Sequence, residues 1–390
     1  MELLHGQGYD GCSAMAGNTN GVQALIRKKY PKAIYTHCSA HRLNLVVQDL
    51  NKVPAIRNTV SAINSVINFY RGSILRREVI DKIPLLSDTR WSSKYNSIRK
   101  FSENFVKLYK ELQYQQIHGN SVTKKLAFQT ISCCSSSTFI TCLVIISYYS
   151  SILEPVTNHL QKIDMDILKV KNHIDKLIKL FESHRANAEE FFKKNIFTKI
   201  TKLCEDCEIN LSTPRQCHQQ RHRSNPGLTV PEDYFRITIF IPYLDGLIQS
   251  LKLRFADEES SMKYISLFVL HPKILKTTSK KDYEKHVQNI NEFYNISNLQ
   301  IESEIWYDLY VEDNSLDKKT ITELHNETSL FPSIQKCFKI LLILPVTTCS
   351  IERSFSSMRR IKTWLRTSMT DERLSNLVNL SINSNYIEKD

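Results

Sequence analysis

Glycine is scarce in this chain, nine in 390 residues, and no Gly-rich phosphate loop is read from so few. Long apolar runs are missing as well. The most apolar stretch, Phe139 to Tyr149, falls short of the ~20 residues that span a bilayer and is flanked by Ser, Thr and Cys, so a buried helix is expected there and no membrane partner. No basic start, apolar run and small-residue cleavage site opens the chain, so its ten cysteines read as reduced thiols of the nucleus or cytosol, without disulfides. A local Ser-His-Asp or Cys-His hydrolase signature is absent. So are internal repeats and low-complexity tracts.

Basic residues are in excess. Fifty-two Lys and Arg against 40 Asp and Glu give a net charge of +12 and a pI near 9.1, which favours an anionic partner, nucleic acid first. The first sixty residues alternate short apolar runs with helical pattern: a strand ending over Leu3 to Gly6, a helix over Gly21 to Tyr30, a strand over Ala33 to Cys38 and a helix opening at Leu43. From there the pattern is helical, with amphipathic stretches at 55–80, 94–117, 139–162, 166–200, 232–256 and 283–310. Pro214, Pro226, Gly227 and Pro231, interleaved with Arg215, Arg221, His222 and Arg223, mark a basic loop at 211–231. A polar break covers Glu312 to Thr328. An apolar helix over Phe331 to Ile343 then stops before Pro345, and Ser350 caps the next one. In that helix Ile351, Phe355, Met358, Ile361 and Leu365 form a stripe expected to be buried, with Glu352 about 100° away at the border of core and solvent. Thr370 caps a last helix whose face carries Leu374, Leu377, Val378 and Ile382. That face has no evident partner in the last sixty residues, so it docks on the core or on a second copy.

Asp10 after a Gly-rich turn would by itself be a turn residue. Cys38 and His41 resemble half a zinc site with no second pair nearby, and Trp91 beside Arg90 offers a base-stacking face and a phosphate fork. Cys204, Cys207, Cys217 and His222 can be drawn as a zinc set, at a spacing that fits no common finger well. Taken together, Asp10-Gly11-Cys12-Ser13-Ala14-Met15, Cys38-Ser39-Ala40-His41-Arg42-Leu43-Asn44-Leu45, Thr89-Arg90-Trp91 and Ser350-Ile351-Glu352-Arg353-Ser354-Phe355 resemble the motifs of the hAT family of DNA transposases and their domesticated descendants, in the zinc-finger MYM-type and THAP-type branch.

The resemblance implies an α/β ribonuclease-H-like core interrupted by a large α-helical insertion, predominantly helical overall. Residues 1–55 would form the N-terminal part of the core without its first strands, 56–327 the insertion, and 328–390 the C-terminal part with the dimerisation region. Asp10 and Glu352 would then be the second and third members of an ancestral Asp-Asp-Glu triad and ligands of any divalent cation. Cys38 and His41 would border that site, and Arg90, Trp91 and Arg353 would contact nucleic acid. Leu374, Leu377, Val378 and Ile382 would pair two chains. Nothing upstream of Asp10 supplies the first Asp, so the expectation is an N-terminally truncated, transposon-derived nuclear or cytoplasmic protein that self-associates, retains some DNA affinity and needs no cofactor. The alternative is a fragment of an active cut-and-paste transposase that cleaves and joins strands with Mg2+ or Mn2+.

Overall fold

The computed structural model describes residues 4–80, 83–86, 91–162, 166–214, 228–255, 266–363 and 368–383, and of 91–93 and 350–353 the backbone alone. The chain is predominantly helical, with two short strands among the described residues. It groups into two compact units, Met1–Arg42 with Leu160–Lys171 and Asp257–Asp390 in the first, and Leu43–His159 with Asn172–Ala256 in the second.

The first unit holds the strands. β1 (Gly6–Tyr9) and β2 (Ile34–His37) pair in parallel, which needs a crossover, supplied here by helix α1 (Val22–Lys29). Gln7 fixes that crossover from inside: its buried amide donates to the carbonyls of Gln23 at 3.1 Å and Ala33 at 2.9 Å. β2 leads straight into α2 (Ser39–Asp49). The later helices of this unit include α3 (Lys280–Tyr294), α4 (Leu299–Tyr310), α5 (Pro332–Ile343), α6 (Cys349–Ile361) and α7 (Asp371–Ile382). Trp306 is their largest fully buried side chain, and its indole donates to the Leu270 carbonyl at 2.8 Å. Glu302 caps α5, taking the Ser333 N–H at 2.8 Å and hydroxyl at 2.6 Å, where a carboxylate also meets the positive end of the helix. Lys32 from the first crossover donates to the Tyr294 carbonyl at 2.7 Å, which ties α3 to the strands.

The elements of the second unit are all helices among its described residues. Pro54–Arg71, Trp91–His118, Ser121–Cys134 and Ser137–Leu160 supply much of its core. Phe101, Phe105, Tyr149, Phe181, Phe192 and Phe240 are fully buried there. Two π-helical turns, Phe192–Phe197 and Arg236–Phe240, present Phe192 and Phe240 to each other, ring centroids 5.1 Å apart. Asp49 closes its own helix onto Ile241–Phe255: it accepts from Ser250 at 2.6 Å and from Arg254 at 2.7 and 3.1 Å.

Several expectations change. The first strand begins at Gly6, where the apolar run was expected to end. The apolar run at 139–149 lies in the first half of a 24-residue helix. That helix has the length and composition to cross a bilayer, yet most of its apolar window is buried within the fold, and the polar Thr141, Ser150 and Thr157 of the same helix are buried too. The stretch 283–310 is two helices, because Asn295 and Asn298 take left-handed backbone (φ 52° and 62°) that asparagine tolerates. The polar break at 312–328 hides a helix, Ile321–Glu327, opened by a capping box in which Thr320 and Glu323 satisfy each other's backbone N–H. Of the stripe expected to be buried in α6, Phe355 is 57% exposed and Met358 and Ile361 are half-buried. Side chain 351 and residue 365 lie outside the described set. The insertion was expected to run from 56 to 327, whereas the helices from Pro272 onward group with the two ends of the chain.

Candidate functional site

Gly6 and Gly8 point to the same face of β1, and that face is covered by Leu344 and Pro345. A Cβ on Gly6 would stand 2.9 Å from Pro345 Cδ, and one on Gly8 2.8 Å from Pro345 Cβ. Gly6, Gly8 and Gly11 have the spacing of a dinucleotide-binding loop, but two of the three lie inside a strand and serve close packing, not a phosphate. Behind Pro345 the chain stays bound to the strands: the Ser39 N–H donates to the Val346 carbonyl at 3.0 Å, and the Thr348 N–H to the Cys38 sulfur at 3.3 Å. The start of α6 is thereby held against the ends of β1 and β2, the edge at which parallel sheets generally place their sites.

Asp10 leaves β1 at that edge, exposed to solvent. Hydrogen bonds from Cys12 first, then the nearby His41 and His37, hold its carboxyl below the usual carboxylate range against a smaller opposing effect of burial. The Cys12 N–H lies 3.4 Å from Oδ1. His37 and His41 face the same spot: their ring centroids are 5.4 Å apart, and a Cβ on Gly11 would lie 3.0 Å from His37 Nε2 and 3.7 Å from His41 Nε2. Tyr9 and Tyr35 extend the ring ladder, with centroids 6.2 Å apart, and Tyr35 stands 6.4 Å from His37. One carboxylate, two imidazoles and two phenols therefore line one edge. His37 was passed over in the sequence, although Tyr35 and His37 alternate on one face of a strand and His41 follows one helical turn later.

Cys38 does not point to that edge. It is 1% exposed, and its sulfur receives the Thr348 N–H at 3.3 Å with Thr347 Oγ1 at 3.7 Å. Glu352 and Arg353 lie in α6, with side chains outside the described set. Trp91 begins Trp91–His118, its side chain likewise outside the set, and Arg90, Cys217 and His222 fall outside it altogether. Cys204 and Cys207 are buried in the second unit, and burial pushes both thiols up to about 11. Among the described residues no group of three or more His, Cys, Asp or Glu side chains is disposed to hold a metal ion. A hard divalent cation needs several oxygen ligands at once, and Asp10 supplies one carboxylate.

At the C-terminus, Thr370 caps α7 as expected, accepting the Arg373 N–H at 3.3 Å. No residue of α7 is buried, and none of the described side chains from Ser354 to Ile361 in α6 is buried either. The two helices pack on each other, which leaves Leu374, Leu377 and Val378 half-buried and Phe355, Leu380 and Ile382 57%, 54% and 47% exposed.

Comparison with known proteins gives this exposed pair a context. The chain is 24% identical over 408 aligned residues to the 52 kDa repressor of the inhibitor of the protein kinase of Homo sapiens, covering 98% of this chain and 53% of that protein. The Mus musculus protein of the same name is 23% identical over 413 residues, covering 98% and 54%. The chain thus spans about half the length of the curated relatives it matches. Residues 307–386, from the end of α4 through α7, match the hAT family C-terminal dimerisation region.

Proposed function

We propose that this chain is a hAT transposase-derived protein that acts by pairing with a second copy through α6 and α7. The observation that carries the proposal is the unburied face of these helices, Phe355, Leu380 and Ile382 foremost, inside the segment that matches a dimerisation region. An amphipathic helix pair in which none of the described side chains beyond the first turn of α6 is buried gains stability by covering that face. The parallel strand pair, its helical crossover and the C-terminal segment laid over β1 support a ribonuclease-H-like ancestry for the first unit. Asp10, at the edge of the strands, fits the ancestral acidic position, with Glu352 as its partner in the family pattern.

DNA is a second partner in this reading, motivated by the net charge of +12, with a nuclear location to match. Binding of that kind weakens steeply with salt. Strand cleavage with Mg2+ or Mn2+ is the runner-up, and it needs more carboxylates around Asp10 than the described residues bring there.

The test is mass in solution. Light scattering at micromolar concentration should give twice the 45.4 kDa of the chain. Phe355→Asp with Ile382→Asp should give 45.4 kDa with an unchanged circular dichroism spectrum, because both side chains are exposed within the single chain, and should melt no higher than the wild type, which pairing stabilises. A wild-type chain that is monomeric under these conditions, or a double variant that still pairs, overturns the proposal.

A further inference from the structure

Cys38 and Cys349 come from opposite ends of the sequence, and both are buried, at 1% and 7% exposure. The Cys38 sulfur receives the Thr348 N–H at 3.3 Å, one residue before Cys349, and the Cys349 side chain and the His41 N–H bond to the same sulfur. The surrounding backbone holds them there. The Cys349 N–H is fixed to Thr347 Oγ1 at 3.3 Å, while the backbone of Cys38 and Ser39 is bonded to Tyr9 and Val346 at 3.0 Å. The two residues also stand at the N-termini of α2 and α6, eleven and thirteen residues long, whose positive ends favour a thiolate between them.

We propose that Cys38 and Cys349 are a peroxide-sensitive pair that closes into a reversible disulfide, cross-linking the first turn of α6 to the end of β2. The sulfur is prepared for it: the Cys38 thiol is pulled down to about 5, chiefly by the hydrogen bond from Cys349, while burial pushes Cys134 and Cys142 up to about 12. In the first step the Cys38 thiolate attacks a peroxide oxygen; an S–O bond forms, the O–O bond breaks, and the leaving oxygen departs as water or alcohol after taking a proton. In the second, Cys349 attacks the Cys38 sulfenic acid; the S–S bond forms, the S–O bond breaks, and water leaves with the Cys349 proton. Two thiols lose two electrons in all, and one peroxide is reduced by two. Hydrogen peroxide, the smallest such oxidant, suits a buried sulfur. Access requires a transient local opening of the first turn of α6 from the ends of β1 and β2, against the hydrogen bonds that seat it there.

The experiment treats the full chain with hydrogen peroxide, alkylates remaining thiols, digests without reductant and reads the peptides by mass spectrometry. The expected product is the peptide pair linking Cys38 to Cys349, two hydrogens lighter than the free thiols and released by dithiothreitol. Oxidation at Cys38 should run at least about tenfold faster than at Cys142. In Cys349→Ser, with an unchanged circular dichroism spectrum, the link should vanish and Cys38 should carry a dimedone-trapped sulfenic acid. Oxidation of Cys12 and Cys133, the exposed thiols among the described residues, without the linked pair would overturn the proposal. So would a Cys349→Ser chain whose Cys38 takes no dimedone. Neither outcome depends on whether two chains pair.

Discussion

Replacing Gly8 by alanine adds one methyl group, and the structure says what it meets. The new carbon would stand 2.8 Å from Pro345 Cβ, 2.9 Å from Pro345 Cγ and 3.4 Å from the Pro345 carbonyl oxygen. Proline is rigid and cannot swing aside. The segment 344–346 must then lift away from β1, straining the bond from Ser39 to Val346 and the seat of α6 beyond it. Overpacking of this kind costs about 1–3 kcal/mol. Gly246 supplies the opposite case, because a Cβ there would lie 3.6 Å from Leu50 Cδ2, an ordinary contact, inside the helix Ile241–Phe255. Gly246→Ala should therefore stabilise by about 0.5–1 kcal/mol through helix propensity alone. Calorimetric melting of both variants, with hydrogen exchange at Tyr9 and His37 as a local probe, reads the two signs separately. A Gly8→Ala chain that melts like the wild type with unchanged protection at Tyr9 would refute the close-packing account of the strand.

Asp49 gives a pH dependence. Its carboxyl is held at about 2, chiefly by Arg254 and against some burial, below the ordinary 3.8. A depressed carboxylate stabilises the fold fully above the unfolded value and loses that contribution as pH falls from about 4 to about 2, roughly 2 kcal/mol for this pair. Asp49→Asn should flatten the acid limb of the second unit's melting profile over that range, and an unchanged limb would count against the pair. Trp306→Phe should cost about 1–3 kcal/mol, since it leaves the buried Leu270 carbonyl without the donor it has at 2.8 Å; a melting curve that matches the wild type would argue that water replaces the indole.

Local chemistry made much of this chain legible from its residues. The Thr370 cap and the apolar spacing over 94–117 and 331–343 act within one or two turns, so those helices were readable in advance, whereas 55–80 and 166–200, read as single stretches, each break into more than one helix. The helix at 321–327 was read as part of a polar break, although Thr320 and Glu323 write its capping pattern in four consecutive residues. Apolar periodicity, however, shows only that a helix has a face, never what that face meets. Phe355 and Phe139 both sit on such faces, and tertiary structure alone buries the second and exposes the first. The roles of Gly6 and Gly8 depend on Pro345, and the chemistry of Cys38 depends on Thr348 and Cys349. These partners lie more than three hundred positions away, and only the folded chain brings them within van der Waals or hydrogen-bond reach.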